Sequence, residues 1–181
     1  MLKKNIFIWS RFYIIFCLLN NNEAFCEQAL ISSLNQDYDT FRVIYINGGS
    51  NDRSYEKVQA LLKNHPRNKQ VTLVRSDIHQ GSVESFYHAL QTCKSHEIAV
   101  LLEGKEFLAH ENVLSRLNHY YANPDVWLTQ GEALDYPSCQ KQKGVPKLRS
   151  FYIGLAHSIK LQGFLKDGEV LSGNIEEVMN K

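Results

Sequence analysis

The chain lacks an excess of charge of either sign. Twenty Lys and Arg stand against nineteen Asp and Glu, a formal net of +1 over 181 residues. No cluster of Lys or Arg disturbs that balance, so charge gives no electrostatic case for a nucleic-acid partner. Paired cysteines are also missing. Cys17, Cys26, Cys93 and Cys139 are irregularly spaced and none forms a Cys-x-x-Cys. That argues against a zinc site and reads as reduced thiols of a cytoplasmic protein. Long apolar runs are absent as well. Lys3 and Lys4 lead into an apolar stretch, but Arg11 interrupts it and no small-x-small cleavage site follows. The uninterrupted run 12–19 has eight residues, whereas a helix spanning a bilayer needs about 20. It fits a strand buried on both faces. Residues 1–10 read as an extension, with contact to the inner face of a membrane left open. There is no internal repeat and no low-complexity tract.

What is present is ordinary for a single globular domain: 44% hydrophobic and 22% charged residues. Apolar periodicity predicts strands over 12–19, 42–46, 71–75, 98–102 and 126–129. Between them it predicts helices over 22–34, 54–64, 82–92 and 111–121. Asn22 is a suitable N-cap for the first helix. Phe25, Ala29, Leu30 and Leu34 recur at helical spacing in it and should face the sheet. The second helix turns Val58, Leu61 and Leu62 inward, and Pro66 bars its continuation. Trp127 is expected in the core. Residues 139–147 read as a loop and 148–161 as a further helix, with Phe151, Leu155 and Ile159 on one face. Strict alternation of strand and helix implies an α/β fold with a parallel sheet covered on both faces.

Such sheets bind ligands beyond the carboxyl ends of their strands. The turns over 20–23, 47–52, 76–81 and 103–107 should therefore share one edge. The second is the most informative. A buried strand (Val43, Ile44, Tyr45, Ile46) runs into Asn47, Gly48, Gly49 and Ser50, and a helix starts just after Asp52. A glycine turn before a helix N-terminus suits a nucleotide phosphate.

Asn20-Asn21-Asn22-Glu23, the Leu34-Asn35-Gln36-Asp37-Tyr38 segment and the Asn47–Asp52 turn come in an order that resembles the start of the family 2 glycosyltransferases. The resemblance extends over about residues 12–165. It implies the GT-A fold: a three-layer α/β/α sandwich with a mostly parallel central sheet. In one domain, 12–135 would be the nucleotide-sugar half and 136–181 a partial acceptor-side segment. The implied activity is transfer of a sugar from a nucleotide sugar to a saccharide or lipid-linked acceptor.

The same resemblance assigns site residues. Asn47, Gly48, Gly49, Ser50 and Asp52 would hold base and ribose, with Gly81 in the turn after the third strand, near His79. The turn Glu103-Gly104-Lys105-Glu106 stands where the family usually carries an acidic Asp-x-Asp-Asp cluster that binds ribose and a divalent metal (Mn or Mg). Glu103 and Lys105 are thus nucleotide-binding candidates and Glu106 is the metal candidate. Hard cations prefer carboxylate oxygen, and Lys105 exchanges one such group for an ammonium. Two unit charges about 4 Å apart interact by roughly 4 kcal/mol at an effective dielectric near 20. Lys105 therefore opposes a metal, or contacts the diphosphate in its place, or is a solvated turn residue. Asp135, Arg149 and Tyr152 are candidates to contact an acceptor sugar. The region of the general base aligns with Asn174 and Glu176, Glu177 being adjacent. Asn47, Lys105 and Asn174 all stand where acids are expected. A chain that has lost much of the activity, and now binds a nucleotide, a glycan or a partner protein, is the alternative expectation.

Overall fold

A computed structural model describes residues 11–75, 82–159 and the two-residue strands Leu165–Lys166 and Glu169–Val170. The element order is β1 (Tyr13–Leu19), α1 (Cys26–Leu34), β2 (Phe41–Asn47), α2 (Ser54–Asn64), β3 (Val71–Arg75), α3 (Ser82–Gln91), β4 (Ile98–Glu103), α4 (Val113–Tyr120), β5 (Leu128–Leu134), β6 (Lys141–Tyr152) and α5 (Ile153–His157). One six-stranded sheet runs in the order β3-β2-β1-β4-β6-β5. The first four strands in that order are mutually parallel, and β6 is antiparallel to both β4 and β5.

β1 is central, and its all-apolar sequence follows from being covered on both sides. Tyr13, Ile15, Cys17 and Leu19 enter a core with α1, α2 and α4. Ile14, Phe16 and Leu18 enter a second core with α3 and α5. Burial pushes the Cys17 thiol up to about 12, which leaves it a neutral packing group beside Ser33. The result is a three-layer α/β/α sandwich whose parallel strands direct their carboxyl ends to one edge.

The helices on the first face are pinned by one buried side chain. Gln36, 1% exposed, donates from Nε2 to the carbonyls of Ser32 (3.0 Å) and His110 (2.9 Å), and its Oε1 accepts the Leu114 N–H (3.1 Å). It thereby satisfies a free donor in the first turn of α4 from a distant segment. Arg67 Nη1 donates to the Leu34 and Gln36 carbonyls, at 2.8 and 2.7 Å. A cation there complements the carboxyl end of α1.

Several expectations need correcting. α1 starts at Cys26, because the Asn22 carbonyl accepts the N–H groups of Phe25 and Cys26 in a separate turn. Cys26 takes the inner position and Phe25 lies half-buried outside. β5 begins at Leu128, and Trp127 is 59% exposed rather than in the core, resting edge-on against Tyr152 on the outer side of the sheet. Most of the 139–147 loop is strand, and the expected helix over 148–161 is strand as far as Tyr152. Only Ile153–His157 is helical. β4 would otherwise present an unpaired row of backbone groups, and pairing it with residues 149–152 outweighs their helical periodicity. The sheet is accordingly mostly parallel, as the resemblance implies, with β6 the antiparallel member between β4 and β5.

Candidate functional site

The turns that follow β1, β2 and β4 meet at the carboxyl edge and are bonded to one another. Asn47, 1% exposed at the end of β2, folds its own turn: Oδ1 accepts the N–H groups of Gly49 (3.2 Å) and Ser50 (2.9 Å). Gly49 has φ +86°, a conformation that favours glycine. The Ser50 hydroxyl accepts the Asn21 N–H (3.0 Å) and donates to Asn20 Oδ1 (3.1 Å). Asn21 Oδ1 in turn accepts the Asn51 N–H at 2.9 Å. Asn22 donates its backbone N–H to Ser54 Oγ (3.1 Å) and its side-chain amide to the Gly104 carbonyl. The asparagine run thus staples the β2 turn on one side and the β4 turn on the other.

The carboxylates at this edge are engaged. Asp52 accepts the Ser54 N–H (3.1 Å), the Ser54 hydroxyl and the Glu23 N–H (2.9 Å). Desolvation alone would raise its pKa, but these hydrogen bonds overcome that and hold it below the usual carboxylate value. Glu23 pairs with Arg53 (2.9 Å) and Lys57 (3.3 Å). Desolvation opposes its ionisation too, and the bonds from Lys57 and Arg53 outweigh it, so its pKa is lowered. Glu103 Oε2 lies 3.1 Å from Arg149 Nη2, which reaches across from β6. Glu106 Oε2 accepts the Glu103 N–H at 3.0 Å and closes the turn on itself. Lys105 is different. Its Nζ lies 5.5 Å from the centroid of the Phe25 ring, and among the described residues no carboxylate pairs with it.

This donor set does not fit a divalent cation. One acid of the turn is neutralised by a guanidinium, the other is a backbone acceptor, and an ammonium stands between them in sequence.

Asn47, Gly48, Gly49, Ser50, Asp52, Glu103, Lys105 and Glu106 therefore lie on one edge, as expected. Gly81, His79, Asn174, Glu176 and Glu177 lie outside the described residues. The acceptor candidates do not cluster. Arg149 sits opposite Leu101 near the carboxyl end of β4, whereas Tyr152 sits opposite Ile98 at its start. There Tyr152 accepts a bond from Arg11 Nε (3.1 Å) and packs on Tyr121, at the end of β4 away from the candidate site. A strand running antiparallel to β4 separates residues that a helix would have placed together. Asp135 is in the β5–β6 connection, where its N–H donates to the Gln140 carbonyl at 2.8 Å. That connection touches the site through Phe107 and Tyr136, whose rings meet edge-on at 5.4 Å. Sequence reasoning missed the Glu103–Arg149 pair, the Asn21–Ser50 link and the Phe107–Tyr136 contact. Each joins segments far apart in the chain and leaves no local pattern.

Solved structures share this architecture. The mannosyltransferase PcManGT from Pyrobaculum calidifontis, in complex with GDP-Man and Mn2+, superposes with a TM-score of 0.65 at 17% identity, over 82% of this chain and 46% of that one. S. aureus TarS 1-349 with UDP-GlcNAc gives 0.64 at 12% identity, over 82% and 47%. Glucosyl-3-phosphoglycerate synthase from Mycobacterium tuberculosis, with Mn2+ and UDP-Glc, gives 0.57 at 15%, over 83% and 58%. The fold is that of the GT-A glycosyltransferases. The family model for glycosyl transferase family 2 matches residues 13–136, and the chain belongs to that family. An uncharacterized glycosyltransferase of Haemophilus influenzae is 27% identical over 143 residues, 79% of this chain and 54% of that protein. The chain spans about half the length of these relatives. Among the described residues, no helix is long and apolar enough to cross a membrane.

Proposed function

We propose that this chain is the nucleotide-sugar half, over 12–135, of a transferase that passes a glycosyl group to a saccharide or lipid-linked acceptor, with 136–181 contributing part of the acceptor side. The observation that carries the reading is the family match over 13–136, which takes in every turn of the cross-bonded carboxyl edge. In this reading Asn47, Gly48, Gly49, Ser50 and Asp52 form the wall for base and ribose, with Gly81 beside them, and Glu103 sits toward the ribose. Transfer breaks the bond between the anomeric carbon and the diphosphate and forms one to an acceptor oxygen, whose proton a base removes. Asn174 has no basic group, so Glu176 is the candidate.

A second reading, a pseudo-transferase that binds without turnover, is favoured by the engaged carboxylates of the β4 turn. Incubation with a panel of UDP- and GDP-sugars, reading nucleoside diphosphate release with and without saccharide acceptors, separates the two. Release that disappears in Glu176→Gln supports the transferase. Saturable binding without release supports the second reading. A panel in which nothing binds overturns both.

A further inference from the structure

Among the described residues no carboxylate pairs with the Lys105 ammonium, and every described carboxylate of the β1, β2 and β4 turns already has a partner. We infer that this edge neutralises the diphosphate of its nucleotide with a side-chain cation, Lys105, where a divalent ion would otherwise serve. The inference rests on the nucleotide reading of the site and names the cofactor requirement that follows from this chain's own residues.

Three observations converge. First, the ligand edge of a parallel α/β sheet must supply positive charge to a diphosphate, and β1 and β4 are adjacent at that edge. Second, the Lys105 side chain reaches from the β4 turn toward the β1 turn, where its ammonium lies over the Phe25 ring and, among the described residues, meets no carboxylate. An aromatic face orients an ammonium without cancelling its charge. The turn beneath it is fixed: Gly104 has φ +57°, its N–H donates to the Leu18 carbonyl (3.2 Å) and its carbonyl accepts from the Asn22 amide. Third, the oxygen donors that could hold a metal have other partners. Arg149 Nη2 draws Glu103 Oε2 away at 3.1 Å, and the Glu106 carboxylate accepts the Glu103 N–H. A cation bound there would have to break an ion pair and then bear repulsion from Lys105. Phosphate oxygens meet no such cost at an unpaired ammonium.

The test is calorimetric titration of UDP and of GDP into the full chain, in excess EDTA and again in manganese, with UMP and GMP as comparisons. Lys105→Ala and Lys105→Arg are carried in parallel, and thermal melts confirm that both fold. The expected result is diphosphate affinity unchanged between EDTA and manganese. Lys105→Ala should weaken it by about 10- to 100-fold, the range of a charge-assisted contact, while Lys105→Arg largely preserves it. The preference for diphosphate over monophosphate should shrink in Lys105→Ala alone. Binding that appears only with manganese overturns the inference and leaves the nucleotide reading standing. Metal-free binding that Lys105→Ala does not weaken overturns it as well. Failure of both diphosphates to bind under either condition overturns the nucleotide reading, and this inference with it.

Discussion

Arg149 on β6 reaches Glu103 at the end of β4, Nη2 to Oε2 at 3.1 Å, and so ties the antiparallel strand to the β4 turn of the candidate site. The arginine is 9% exposed overall, and its Nε is buried without a hydrogen-bond partner. Removing the guanidinium leaves a half-covered carboxylate unpaired. Arg149→Leu should cost about 1–3 kcal/mol, below the figure for a fully buried pair because Glu103 keeps some contact with water. Adding Glu103→Gln should restore part of that loss. Urea unfolding of the two single variants and the double variant reads the coupling, and strictly additive losses would contradict a working pair.

Gln36 ties α1 to α4 through bonds to Ser32, His110 and Leu114. Gln36→Ala leaves buried backbone groups without partners, at a cost of about 2 kcal/mol, and should lower the melting temperature by roughly 5 °C. Hydrogen exchange locates the effect: the Leu114 amide should lose protection while amides in β1 keep theirs. Equal loss in both elements would point to global destabilisation without a local cap.

Asp52 and Glu23 have lowered pKa values in the folded chain. A carboxyl whose folded pKa is depressed adds stability above its unfolded value, and that contribution is lost as pH falls through the folded value. The ordinary values are 3.8 for Asp52 and 4.5 for Glu23, so the window lies in acid below them. Asp52→Ala should therefore be less stable than the parent near neutrality, by a gap that narrows as pH drops below about 4. Unfolding free energy measured against pH for both proteins tests this. A gap independent of pH would mean that Asp52 acts through packing alone.

Gly154 is the second residue of α5, and its N–H donates to the Ser95 carbonyl at 3.0 Å. A Cβ there would lie 3.1 Å from the Ser95 carbonyl oxygen and 3.2 Å from Ser95 Cβ, so the Ser95 segment would have to give by a few tenths of an ångström. Gly154→Ala should cost about 1–3 kcal/mol and disturb the 3.1 Å contact between Ser95 Oγ and His157 Nδ1. Gly104→Ala is the comparison: its φ is +57° but nothing lies within 4 Å, so only conformational strain of about 1 kcal/mol is expected. Chemical denaturation of both variants should rank Gly154→Ala as the more damaged.

Much of the fold was legible because the pattern in each segment is local. The helix Ser54–Asn64 and the strand Val71–Arg75 fall where the sequence places them. In the first case an apolar stripe is followed by Pro66. The unbroken apolar runs of β1 and β4 fit strands covered on both faces, and they are such strands. The region after Tyr136 was not legible. Lys141–Tyr152 carries polar residues and a helix-like spacing at its end, yet it is a strand, because the exposed edge of β4 offers hydrogen bonds that a free helix does not gain. Trp127 looks like core by composition and is exposed because β5 forms the outer edge of the sheet.

By itself the sequence determined the alternation of elements, the edge on which Asn47, Asp52, Glu103 and Lys105 gather, and the resemblance that the family match bears out. Those features depend on neighbours a few residues apart and on the polarity of parallel strands. Only the tertiary structure decided that Glu103 pairs with Arg149, that Gln36 caps a distant helix, and that the Lys105 ammonium rests over an aromatic ring. A side chain's partner is fixed by strand order and register, which bring together segments with no local signal in common. The charge a ligand would meet at this edge is set by those pairings as much as by the residues themselves.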